Sequence, residues 1–260
     1  MGRRGYANTE LGQVHYQESG VGEPLVLLHM TASSSVMFTR CIPLLARRFR
    51  VIALDTPGFG LSDAPAEQPE IGDYARSLAA ALEDLGVDRA SVVGFHTGGT
   101  IALELATRFP RHVSRLVLAA ILAPKTSDER AAWRELLLRP WEPDGKGEFL
   151  DHVLWWLGNY VPKHDGVAYL AELIGTLQAG PSYWWGPRAV IEYDTFARLG
   201  ELELPILFLT PCADNLAQDT HRAHAACPGS SYVEIPGNDA ASWEFPDEFC
   251  QAVVDFVGAE

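Results

Sequence analysis

Ser91-Val92-Val93-Gly94-Phe95-His96-Thr97-Gly98-Gly99 is the stretch that decides the fold. A short apolar run enters a turn with glycines on both sides of a histidine, and a helical pattern follows from Thr100 to Phe109. Apolar runs of this length bounded by turn residues read as buried strands, and glycines allow the sharp reversal that joins strand to helix. A histidine at such a turn can move protons near neutral pH, which makes His96 the first residue to consider for chemistry.

The same rhythm extends outward in both directions. Leu25-Val26-Leu27-Leu28, Val51-Ile52-Ala53-Leu54, Leu116-Val117-Leu118-Ala119, Ile206-Leu207-Phe208-Leu209 and Tyr232-Val233-Glu234-Ile235 are further apolar runs, each followed by loop signals. Such runs predict parallel strands buried on both faces. Residues 73 to 85 set Tyr74, Leu78, Leu82 and Leu85 on one helical face and stop at Gly86, a C-terminal cap signal. Alternating segments at Gly5 to Glu10 and Gln13 to Glu18, joined at Leu11-Gly12, predict an antiparallel hairpin at the sheet edge. The order implies a doubly wound, mostly parallel twisted sheet with helices on both faces.

Residues 125–196 interrupt this order. They hold Trp133, Trp141, Trp155, Trp156, Tyr160, Tyr169, Tyr183, Trp184 and Trp185 but no β-branched strand run. The stretch is expected to be a helical lid inserted in a core made of residues 1–124 and 197–260. The run Tyr183-Trp184-Trp185 is expected to wall an apolar substrate pocket, because three successive rings cannot all enter one core.

Composition limits the partners. A formal net charge of −14 argues against nucleic acid or an anionic membrane surface, since both repel a uniformly acidic protein. Four scattered cysteines, Cys41, Cys212, Cys227 and Cys250, fit reduced thiols in a cytoplasm. No stretch approaches the roughly 20 apolar residues of a membrane span, and the start carries no apolar export segment. The expectation is a soluble, cytoplasmic monomer or homodimer. No cofactor is expected, because there is no G-x-G-x-x-G after the first strand and no P-loop. His221-x-x-His224-x-x-Cys227 reads as a surface helix rather than a metal site, for want of a fixed fourth ligand.

From end to end the chain resembles the α/β-hydrolases. The hairpin, Leu25 to His29 with its serine-rich loop, Asp55-Thr56-Pro57-Gly58-Phe59-Gly60-Leu61-Ser62-Asp63, the turn at His96, the lid, Pro205 to Asp214 and Ile235 to Phe249 carry the resemblance. Residues 55–63 reproduce the D-x-x-G-x-G-x-S-D of many family members. The resemblance implies the α/β-hydrolase fold, and it implies that the turn is the nucleophile elbow, G-x-S-x-G, with His96 in place of the serine.

Other departures follow. The family's histidine-glycine pair after the third strand is here His29-Met30-Thr31-Ala32. The backbone amides of Thr31 and Thr97 could still form an anion-binding nook beside Met30, while His29 is expected to be a structural hydrogen-bonding residue. Asp214 stands at the family's acid position, with a helix cap beginning near Leu216 as the bland alternative. The family's late histidine is missing: counting back from Glu244 puts Asp239 in its slot, and counting forward from Ile235 puts Ala240 there. His96 paired with Asp214 or Asp239 would make a general base.

Three functions are compatible with this pattern. The preferred one is an enzyme acting on a hydrophobic, aromatic or polyketide-like small molecule by His96 acid/base chemistry, of lyase, cyclase or dehydratase type. A second is a hydrolase in which His96 activates water toward an ester, lactone or epoxide. A third is a non-catalytic small-molecule binding protein.

Overall fold

The computed structural model describes residues 2–160 and 165–259; the side chain of Tyr160, one of the nine aromatic residues noted at 125–196, lies outside the described part. Eight strands form one sheet in the order β1-β2-β4-β3-β5-β6-β7-β8. They are β1 (Arg3–Thr9), β2 (Gly12–Ser19), β3 (Pro24–Leu28), β4 (Arg50–Leu54), β5 (Ala90–Phe95), β6 (Val113–Ala119), β7 (Ile206–Pro211) and β8 (Ser231–Ile235). β1 and β2 form an antiparallel hairpin, β2 runs antiparallel to β4, and the remaining pairs are parallel. Every apolar run read from the sequence lies in one of these strands.

Between them lie α1 (Ile42–Leu45), α2 (Ile71–Asp84) and α3 (Thr97–Arg108), and after β7 come α9 (Ala217–Ala225), α10 (Ala241–Glu244) and α11 (Pro246–Val257). Among the described residues, five α-helices lie between β6 and β7: α4 (Ser127–Leu137), α5 (Phe149–Tyr160), α6 (Gly166–Ala179), α7 (Trp185–Glu192) and α8 (Thr195–Leu199). All residues of β5 and β7 are buried, as strands covered on both faces must be. No helix among the described residues is long and apolar enough to cross a membrane.

The glycine-rich motif after β4 works as a structural knot. The Asp55 carboxylate accepts from Ser35 N–H at 2.7 Å and Leu61 N–H at 3.0 Å, and meets His15 Nδ1 at 2.8 Å. Burial would push this carboxyl up, but the His15 bond and the neighbouring donors hold it down at about 2. One side chain thereby ties the hairpin, the loop after β3 and its own loop together.

Candidate active site

β5 ends at Phe95 and α3 begins at Thr97, so His96 alone makes the turn. Its φ of 49° and ψ of −113° are a conformation that costs a non-glycine residue roughly 1–3 kcal/mol. The reversal brings backbone onto backbone: a Cβ on Gly94 would lie 2.3 Å from the Gly98 oxygen, and one on Gly98 2.3 Å from the Leu28 oxygen. Only glycine fits at either position. The turn is held by His96 N–H donating to Ala119 O at 2.9 Å, while its own carbonyl accepts from Gly99 and Thr100.

The imidazole projects toward the ends of two neighbouring parallel strands. Asp214 follows β7 and Asp239 follows β8, so strand pairing sets the two carboxylates side by side. His96 Nε2 lies 2.9 Å from Asp214 Oδ2 and 3.4 Å from Asp239 Oδ1. Asp214 Oδ1 accepts from Leu216 N–H at 2.7 Å, which also starts α9. Asp239 Oδ2 accepts from Asn215 Nδ2 at 3.3 Å, whereas its Oδ1 is buried with no hydrogen-bond partner among the described residues.

One N–H facing two carboxylates leaves a charge imbalance that sets the protonation of all three groups. Burial pushes the imidazole down, but the Asp214 charge and hydrogen bond, reinforced by Asp239, outweigh it and hold His96 above its usual value. Burial likewise pushes Asp214 up, and His96 reverses the sign and holds it low. Burial pushes Asp239 up to about 7; His96 opposes this and the Asp214 charge adds to it. The pair of carboxyls therefore holds a proton near neutrality. The ligating atoms of the three residues lie within 4.8 Å of one another and could also hold a divalent cation; a proton relieves the same repulsion.

His96 borders a cavity of about 50 Å³, room for a few waters or a small part of a ligand. Met30, Thr31, Thr97 and Asn215 join it on the sheet side, and Trp133, Leu137, Trp156, Pro187 and Val190 form the opposite wall. Thr31 Oγ1 donates to Thr97 Oγ1 at 3.0 Å, drawing the loop after β3 against the start of α3. Thr97 opens the helix, so its N–H has no partner within that helix.

Comparison with known proteins adds a second line of observation. Residues 23–145 match the family described as the alpha/beta hydrolase fold. A crystal structure of a hydrolase from Pseudomonas aeruginosa superposes with a TM-score of 0.86 over 99% of both chains at 25% identity. The chain has the α/β-hydrolase fold. Within that fold, a 116-residue stretch is 41% identical to 2-hydroxy-6-oxononadienedioate/2-hydroxy-6-oxononatrienedioate hydrolase of Paraburkholderia phymatum, covering 42% of this chain and 40% of the relative. A 108-residue stretch is 34% identical to haloalkane dehalogenase 2 of Mycobacterium bovis, covering 41% and 38%. The chain spans only 31 to 40% of the length of the curated relatives it matches.

Against this α/β-hydrolase frame the residues singled out from sequence separate into two groups. His96, Asp214 and Asp239 converge, and Met30, Thr31 and Thr97 border the same cavity. Ala240, the other occupant of the late slot, is buried ahead of α10. His29 is a buried hydrogen-bonding residue: Nδ1 donates to Met30 O at 2.8 Å and Nε2 accepts from Thr56 N–H at 2.9 Å. The expectation for the aromatic run is corrected, since Tyr183, Trp184 and Trp185 are not among the residues lining the cavity. Tyr183 is buried between helices, its OH donating to Arg139 O at 2.8 Å and its ring edge-on to Trp156 at 5.1 Å. The chain takes a short helical turn at 180–182 before α7 starts at Trp185. Pro187 and Val190, three apart on α7, face the cavity instead. His221 and His224 each lie against Tyr232, and His224 Nδ1 bonds Ser230 Oγ at 2.8 Å. Asn215 was missed from sequence; its only signal is adjacency to Asp214.

Proposed function

We propose that this chain is an enzyme that carries out acid/base chemistry on a small hydrophobic molecule through His96, without an acyl-enzyme. The observation that carries the reading is the elbow imidazole with Nε2 facing Asp214 at 2.9 Å and Asp239 at 3.4 Å on the floor of a mostly apolar cavity. With Asp214 accepting the Nε2 proton, the neutral ring presents its lone pair at Nδ1. A substrate proton next to a carbonyl passes to Nδ1, and the electron pair moves to the carbonyl oxygen. The Thr97 amide at the start of α3 suits that developing oxyanion. Asp214 stabilises the imidazolium until the proton is returned to carbon or to a leaving oxygen. Such a cycle serves elimination, cyclisation or carbon–carbon cleavage on an aromatic or polyketide-like substrate, and α4 to α8 act as the lid that excludes bulk water.

A second reading is favoured by the room for water beside His96 and by relatives named as hydrolases. Here His96 takes a proton from water that attacks an ester, lactone or epoxide directly. The test is mass spectrometry of small molecules retained and converted by the native protein and by His96→Ala, run in ¹⁸O-labelled water. Turnover by the native protein alone, with ligand retained by both, supports acid/base catalysis. The label in product selects hydrolysis, and its absence selects the lyase or cyclase class. An active alanine variant would remove the role given to His96, and identical ligand with no conversion in either would remove the enzymatic reading.

A further inference from the structure

The helices opposite the sheet carry an exposed apolar face that the chemistry at His96 does not use. On α6, Val167, Leu170, Ile174 and Leu177 recur at helical spacing and are all exposed, the first three at 71%, 56% and 49%. Leu150 and Leu154, one turn apart on the neighbouring α5, are exposed as well. The α6 stripe runs about 15 Å along the axis, from ten residues at 1.5 Å each. These six side chains offer on the order of 500 Å², within the range of the largest apolar patch on an ordinary monomer, where such patches are often functional.

Charge selects what can cover it. The chain has a net charge of −14, so two copies repel unless they meet where acids are absent. The single charged side chain of α6, Glu172, is turned inward, where its Oε1 accepts from Trp243 Nε1 at 2.8 Å. Asp165, ahead of α6, is paired with Arg40 at 2.5 Å. Asp151, between Leu150 and Leu154 on α5, and Glu148 just ahead of that helix are exposed acids at the α5 end of the face, so copies would meet along α6 and keep these acids at the rim. The other apolar groove, along edge strand β8 and α11, includes Val233, Ile235 and Phe256 but is lined by Glu248 and Asp255, with Glu234 exposed on the strand. A second copy would bring the same three acids against it.

We propose that a second copy of this chain docks through the α5–α6 face, related by a twofold axis that sets α6 against its counterpart. Two such patches bury about 1,000 Å², the lower bound for a specific interface and the size of a weak, reversible one. Isologous pairing needs no partner of other composition, because the stripe meets itself. The dimer would also clamp α5, whose Trp156 lines the cavity, although the proposal does not depend on the reaction there.

Sedimentation equilibrium of the full chain tests this at 50 mM and 500 mM NaCl, alongside Leu170→Glu/Ile174→Glu, the milder Val167→Glu, and Val233→Glu on β8. The expected result is a native dimer at about 100 µM protein, tightened by salt as repulsion is screened. The double variant should weaken association at least a hundredfold, Val167→Glu about tenfold, and Val233→Glu should leave it unchanged, all with native far-ultraviolet circular dichroism. A native chain that is monomeric at about 100 µM, a dimer broken by Val233→Glu alone, or a monomer that instead co-sediments with phosphatidylcholine vesicles would overturn the proposal.

Discussion

Replacing Asp239 by asparagine removes one of the two carboxyls that face a single ring nitrogen, and the effect on stability should depend on pH in a defined direction. The native carboxyl is raised from an ordinary 3.8 to about 7, chiefly by burial. Below pH 4 it is protonated in both folded and unfolded chains and costs nothing. Between 4 and 7 the unfolded chain ionises it and the folded chain does not, so folding loses stability as pH rises, at 1.36 kcal/mol per pH unit. Above 7 the whole difference between 7 and 3.8 has accumulated, about 4 kcal/mol. From pH 5 to pH 8.5 the native chain therefore loses about 3 kcal/mol that asparagine does not. The shift to about 7 is already net of the attraction to His96 at 3.4 Å, so the gain stays at about 3 kcal/mol. Urea unfolding of both chains at the two pH values measures the change directly. The variant should gain about 3 kcal/mol relative to native on going from pH 5 to pH 8.5. A difference that stays flat within about 0.5 kcal/mol, or that moves the other way, refutes the shared-proton arrangement.

Three further outcomes follow from the same geometry. Fluorophosphonate probes should label no serine of the native protein, because the elbow side chain is His96 and Ser33, Ser34 and Ser35 are buried in the loop after β3; a labelled cavity serine by peptide mapping would overturn the reading. Gly98→Ala should cost more than about 3 kcal/mol, since its Cβ would sit 2.3 Å from Leu28 O and 2.7 Å from His29 O, backbone atoms that cannot yield as a side chain would; a loss under about 1 kcal/mol in urea unfolding would contradict this packing. Exhaustive dialysis against a chelator should leave turnover unchanged if the proton, rather than a divalent cation, occupies the space between His96, Asp214 and Asp239; loss of turnover restored by Zn²⁺ would reassign the three as ligands.

The strands were legible because a strand buried on both faces has to be a continuous apolar run, and the hairpin because its alternation and Gly12, at φ 107°, leave few other solutions. His96 stood out because glycines that meet backbone at 2.3 Å can be recognised without coordinates. Other parts of the site were not legible for physical reasons. Asp239 and Ala240 differ by one position in a loop, and only the path from β8 to α10 decides which faces the imidazole. Trp133 and Trp156 reach the cavity because α4 and α5 cross it, a tertiary fact with no local mark. The Tyr183 run misled because aromatic density says nothing about helix phase: the turn before α7 sends Tyr183 inward to Arg139 O and His152 Nε2, at 2.8 and 2.9 Å.

Moving the imidazole from a loop to the elbow alters what the same fold can do. In the arrangement the resemblance implies, the elbow carries the atom that bonds to substrate, and a histidine reaches it from outside the sheet. On the proposed function the base itself is fixed by the turn, with its backbone held by Ala119 O, and the two late loops supply carboxyls only. A base on the rigid elbow loses little entropy when substrate binds, which favours proton transfer within one bound complex. It also loses the group that would store an acyl intermediate, so every step must finish before the product leaves. Two carboxyls, one low and one near 7, fit that demand. In the proposed cycle Asp214 would keep the imidazolium charge-paired throughout, while Asp239 would give up or regain a proton. Asn215, which holds Asp239 Oδ2 at 3.3 Å and borders the cavity, links that carboxyl to the cavity lining.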